Sequence, residues 1–209
     1  MNKTITILTF LFLLLSHIIN AEEKNYYEDP DSNTHWKSFV IPKIKFRSTS
    51  RENLTGASVM EMLKDDGFYD GDWNNSASGF PNDFHLQNDV KVVFDHASGL
   101  MWQQSGSIKE ISYDDAKKYV AQVNSDQFAG YNDWRMPTLE EAMSLIEPTE
   151  KSSGMYIDPI FANTQRWIWT SDMNDVSLAW LVNFASGNCY TYPNDFFDFI
   201  SGGYVRAVR

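Results

Sequence analysis

Cys189 is the only cysteine in the 209 residues, so no disulfide can form within the chain and its fold must rest on a packed interior. Small exported domains commonly brace a thin core with cysteine pairs, and this chain has no such brace. Its core material is aromatic: seven Trp, ten Tyr and fourteen Phe, within a total of 43% hydrophobic residues. Rings in that number either fill an interior or line a recognition surface. The lone thiol reads as a buried, inert side chain, with a reactive thiol as the alternative.

Residues 1–21 stand apart. Lys3 gives a short positive start, and Ile5 to Ile19 is apolar except for Thr6, Thr9, Ser16 and His17. Ala21 is a small residue immediately before Glu22-Glu23-Lys24. This is the layout of a secretory signal peptide cut near Ala21. The alternative is a membrane anchor, but a spanning helix takes about 20 apolar residues and this run is shorter and followed at once by charge. A lipid-anchored export signal would place Cys after the cut, where Glu22 stands. The expectation is a secreted or periplasmic protein with no membrane insertion after cleavage. Losing residues 1–21 removes one lysine and no acid, taking the formal charge from −11 to −12. Such a charge repels phosphate backbones and anionic headgroups, so no nucleic-acid partner is expected. Cations, neutral sugars and basic protein surfaces remain compatible.

Residues 22–50 read as a polar leader or linker, with one short strand at Val40-Ile41. Residues 51–83 read as an extension carrying a helix over Ala57 to Lys64, stopped at Asp65-Asp66-Gly67, followed by turn chemistry from Asp70 to Pro81. The dense domain is 84–209. Val90 to Phe94 and Leu100 to Trp102 read as a hairpin around Asp95 to Gly99. Ser112 and Thr138 cap two helices, with Asp115 and Glu141 in capping-box positions and Pro148 ending the second. Ile157 to Phe161 reads as a turn around Pro159. Trp167 to Trp169, an alternating Leu178 to Phe184, Cys189 to Tyr192 and Tyr204 to Val208 read as strands. Helices early and strands late predict an α+β fold, two helices packed on a small, mostly antiparallel sheet.

Catalytic patterns are sparse. Beyond the leader the histidines are His35, His85 and His96, and there is no nucleophile elbow, zinc spacing or phosphate-cradling glycine motif. His96 reads as a solvated turn residue. The carboxylate pairs Asp65-Asp66, Asp114-Asp115 and Glu140-Glu141 fall at helix ends, where acids complement the dipole or stop the helix. No catalytic or metal-ligating residue is assigned, and no cofactor is expected. Calcium is the single hint: Asp70-Gly71-Asp72-Trp73-Asn74 resembles the start of a calcium loop, yet the twelfth position is Pro81 instead of Glu, which favours a plain turn. For recognition, Tyr190 to Phe199 is the candidate stretch. Tyr190 and Tyr192 offer rings for sugar faces, while Asn194, Asp195 and Asp198 offer oxygens for hydroxyls or calcium. The alternative is that these rings pack over the sheet.

Five segments in order carry a resemblance: Ser98 to Gln103, Ala129 to Thr138, Trp169-Thr170-Ser171, Ala179-Trp180 and Val205 to Arg209. Together they resemble the Lcl C-terminal domain family, over about Phe84 to Arg209. The resemblance implies a bacterial, extracytoplasmic, adhesin-like module, with a wider similarity to C-type-lectin-like and sulfatase-modifying-factor-like folds. It carries over no catalytic residue; formylglycine-generating relatives of the wider fold use paired cysteines, and only Cys189 is present. The motif residues also have structural readings. Trp134 is expected to be buried, with Arg135 paired to Asp133 or Glu141, and Trp102 and Trp180 are expected to face the core.

The expected function is that of an exported, non-catalytic binding module for a glycan, a surface protein or a cell-envelope component. The alternatives are an unrecognised or degenerate enzyme of the sulfatase-modifying-factor-like fold and a subunit of an extracytoplasmic assembly, which leaves an oligomer open.

Overall fold

The computed structural model describes residues 24–27, 37–40, 45–87, 89, 91–151, 153–193 and 202–209; the leader at 1–21 lies outside them. The architecture is α+β. Strands β1 (Lys24–Tyr27) and β2 (Lys37–Val40) pair as an antiparallel ribbon. Helix α1 (Gly56–Asp65) starts where Thr55 Oγ1 accepts the Ser58 N–H at 3.3 Å and stops at Asp66, after which Gly67 turns left-handed at φ 68°. Its buried stripe is Val59 and Leu63.

Strands β3 (Phe84–Gln87), β4 (Val92–Asp95) and β5 (Met101–Gln103) form one antiparallel sheet in that order. The β4–β5 turn is built by the Asp95 carboxylate, which accepts the backbone N–H groups of Ala97 and Ser98, and by Gly99 at φ 75°. Helix α2 (Tyr113–Ser125) is capped by Ser112, whose hydroxyl accepts the Asp115 N–H at 3.2 Å. Helix α3 (Leu139–Met143) has a complete capping box between Thr138 and Glu141. A second antiparallel sheet follows, in the order β6 (Trp167–Asp175), β7 (Leu178–Asn183), β8 (Asn188–Pro193). Among the described residues no helix is long and apolar enough to cross a membrane.

Three expectations are corrected. The single small sheet is two three-stranded sheets. Helix α3 ends at Met143, well before Pro148, because Ser144 Oγ turns back to Glu141 O at 2.7 Å and the Leu145 and Ile146 N–H groups reach only three residues back; such bonds tighten a last turn and divert the helix. Strand β7 keeps the expected period of two, with neither face left to water. Trp180 and Val182 enter the large core while Ala179 and Leu181 enter a second cluster with Tyr113, Met136 and Trp169, so both faces are covered.

The third correction is the terminal strand expected at Tyr204 to Val208. Residues 203–209 are a ribbon of isolated bridges: Gly203 to Ile111, Tyr204 to Ile168, and Val208 to both Trp102 and Arg135. No single ladder forms because successive residues bond to different sheets. Tyr204 N–H goes to Trp167 O, whereas Ala207 N–H goes to the Gln103 side chain at 3.0 Å. The ribbon thereby joins the two sheets.

The large core also crosses residue 84. Phe46, Leu54, Val59, Leu63, Phe68 and Phe80 pack in one cluster with Trp102, Leu139, Trp180 and Val208. Leu54 N–H donates to Met173 O at 2.8 Å, and Trp180 Nε1 donates to Leu54 O at 2.8 Å. Residues 45–83 therefore share the interior of 84–209.

Candidate functional site

The Asp70 loop and the β7–β8 turn meet at one edge of the second sheet. Asp70 is fully buried, and its carboxylate collects three backbone N–H groups: Asp72 and Trp73 at 2.9 Å on Oδ1, and Cys189 at 2.9 Å on Oδ2. Gly71 N–H donates to Gly187 O at 2.8 Å. Gly187 sits at φ 69°, and a Cβ there would lie 2.8 Å from the Tyr156 ring, so this turn takes only glycine without strain. Asn74 Nδ2 spans the end of α1, donating to Leu63 O and Phe68 O. The three oxygen-bearing side chains that suggested a calcium loop thus point to different partners: Asp70 inward, Asn74 to the carbonyls of Leu63 and Phe68, Asp72 to Asn188. Among the described residues no group of three or more His, Cys, Asp or Glu is placed to hold a metal ion.

The loop leaves a surface. Trp73 keeps 39% of its area exposed while its ring stands edge-on to Trp180 at 6.2 Å. Beside it Asp72 Oδ2 accepts from Asn188 Nδ2 at 2.5 Å, and the Asn188 Oδ1 lies 2.6 Å from the Ser186 hydroxyl. Tyr69 and Tyr156 stack nearly parallel at 6.1 Å, Tyr156 lying against Gly187. An exposed indole next to a chain of amide, carboxylate and hydroxyl groups can stack on an apolar ring face and exchange hydrogen bonds with hydroxyls. From sequence this loop reads only as a turn or a cation site. The unused signal was Trp73 itself, a large ring in a stretch with no helix or strand to bury it.

Tyr190 and Tyr192 are half-buried and pack on the cluster of Trp169, Ala179 and Leu181; Tyr192 and Trp169 rings lie 6.1 Å apart. Burial, then Tyr192 and Glu110, pushes the Tyr190 hydroxyl above its ordinary pKa. Asn194, Asp195 and Asp198 lie outside the described residues.

Several other charged and aromatic side chains make structural contacts. Arg135 forms a two-point pair with the buried Glu141, at 2.7 and 2.5 Å, while Asp133 pairs with Arg209 at 2.6 Å. Trp102, Trp134 and Trp180 are buried. Asp172 is buried and accepts Arg47 Nη1 and Nη2 at 2.8 and 2.7 Å and the backbone N–H groups of Arg51 and Leu139 at 2.7 Å. Cys189 is buried, and burial together with the Asp70 carboxylate holds its thiol pKa well above the ordinary value, which suppresses the nucleophilic thiolate. His96 stays in the β4–β5 turn but is half-buried, its ring edge-on to Phe94 at 4.8 Å.

Residues 91–209 match the family model described as the Lcl C-terminal domain. No curated protein matches the chain significantly.

Proposed function

Because the chain belongs to the Lcl C-terminal domain family, we propose that it is an exported, non-catalytic binding module that recognises a neutral glycan of the cell envelope or of a surface protein. The observation that carries this reading is the half-exposed Trp73 ring set beside the Asp72–Asn188–Ser186 chain. A sugar ring would lie on the indole face, with its hydroxyls exchanging hydrogen bonds with the three polar side chains. The net negative charge disfavours sulfated or phosphorylated glycans and leaves neutral ones. The finer fold proposed is C-type-lectin-like, with the ligand surface on loops at a sheet edge; the signal-peptide-like pattern of residues 1–21 supports a periplasmic or extracellular location for the mature module.

The test is a glycan array followed by titration calorimetry on protein beginning at residue 22. Trp73→Ala should weaken binding to the best ligand at least tenfold, about 1.4 kcal/mol, while Trp73→Phe retains part of it. Tyr190→Phe and Tyr192→Phe should leave it unchanged, and an unfolding curve for each variant reports its integrity. An array with no ligand, or a folded Trp73→Ala protein that binds like the parent, refutes the reading.

A further inference from the structure

Arg206 lies in the C-terminal ribbon where it runs alongside β5. Its side chain is wholly buried. The guanidinium carbon faces the Phe161 ring at 4.6 Å and the Phe184 ring at 6.0 Å. Nη2 donates to Ala162 O at 3.0 Å and to Gln165 Oε1 at 3.1 Å. Nε and Nη1 are buried with no partner. Among the described residues no carboxylate pairs with it, in contrast to Arg47 on Asp172 and Arg135 on Glu141. A buried cation without a counter-charge is strongly disfavoured.

A third orphan sits close in the topology. Trp102 Nε1 is also buried and unpartnered. Trp102 bridges Val208, so Trp102 and Arg206, two residues along the ribbon from Val208, share one face of that pairing. Trp102 packs in the same core as Phe161 and Phe184. Every orphan on this face is a donor and one of them is charged. The aromatic faces supply only partial negative charge. Water would accept the hydrogens and leave the charge uncompensated. We propose that Arg206 forms a buried binding site for one small monovalent anion of the halide class, at its Nε–Nη1 edge. Residues 161–165 cover the site: Ala162 N–H is held by Gln104 O at 2.9 Å, and Gln165 Nε2 by Ser107 O at 3.0 Å. The ion therefore enters as the protein folds or as this loop opens. Burial alone pushes the guanidinium pKa down to about 9, and an adjacent anion opposes that effect.

Thermal unfolding of the wild-type protein in sodium chloride and in sodium gluconate at matched ionic strength tests the site. The midpoint should climb with chloride along a saturating curve, by about 3–6 °C once chloride is tenfold above its dissociation constant, and stay flat in gluconate. Crystals grown in bromide should show an anomalous peak within hydrogen-bond reach of Arg206 Nη1 or Nε. Arg206→Met should abolish the chloride dependence; if that variant does not fold, the wild-type measurements still decide. Equal midpoints in the two salts, or bromide found only elsewhere, overturn the proposal.

Discussion

Asp172 joins three stretches of chain through one carboxylate. Its oxygens hold Arg47 and Arg51, which lie 125 and 121 residues earlier, together with the first N–H of α3. Arg47 extends the network to Glu140 at 3.2 Å. Replacing Asp172 by Ala leaves Glu140 as the remaining carboxylate partner of Arg47 and two backbone donors unpaired in a mostly dry site. Breaking such a buried pair costs about 3–5 kcal/mol, so urea unfolding followed by tryptophan fluorescence should show a loss of that size. The partners at this scale were legible in the sequence only when they were near. Arg135 and Glu141 are six residues apart and their pairing follows from the helix cap between them. Nothing around Asp172 signals a partner more than a hundred residues away. The candidate site divides in the same way: the exposed ring of Trp73 could be suspected from its turn-rich surroundings, but Asn188 and Ser186 reach Asp72 only through the tertiary fold.

Helices were readable because their ends are local chemistry. Ser112 and Thr138 cap α2 and α3 as their spacing to Asp115 and Glu141 predicts. The two caps differ in setting. Ser112 caps at the surface, whereas Thr138 is buried and its hydroxyl also donates to Arg47 O at 2.9 Å. Ser112→Ala should therefore cost about 0.5–1 kcal/mol and Thr138→Ala about 2 kcal/mol or more, the excess being an unsatisfied buried carbonyl; chemical denaturation of the two variants side by side checks the order. Strands were less legible. Strand β7 shows its period of two in the sequence, but which cluster each of its faces meets is set only by the tertiary fold. The ribbon at 203–209 has β-forming residues, but its partners belong to two sheets and no periodicity encodes that.

For the molecule as a whole, the family match begins at residue 91, while among the described residues the interior begins at Phe46. Phe46 packs edge-on to Phe80 at 5.0 Å, and α1 presents Val59 and Leu63 to the same core. Single apolar residues such as Phe46 and Leu54 in a polar stretch have no period to betray them, which is why the segment reads from sequence as leader and extension. A chain starting at residue 84 loses this packing and the cap on Trp180 Nε1. It should show no cooperative urea transition and weak near-ultraviolet dichroism, whereas one starting at residue 45 should unfold as a single unit. The ribbon at 203–209 has a consequence for timing. A polypeptide leaves the ribosome from its N-terminus, so both sheets are synthesised before the residues that fasten them together. The two sheets cannot be fastened to each other until translation has passed Val208, so the last step of closing the interior waits for the end of the ribbon.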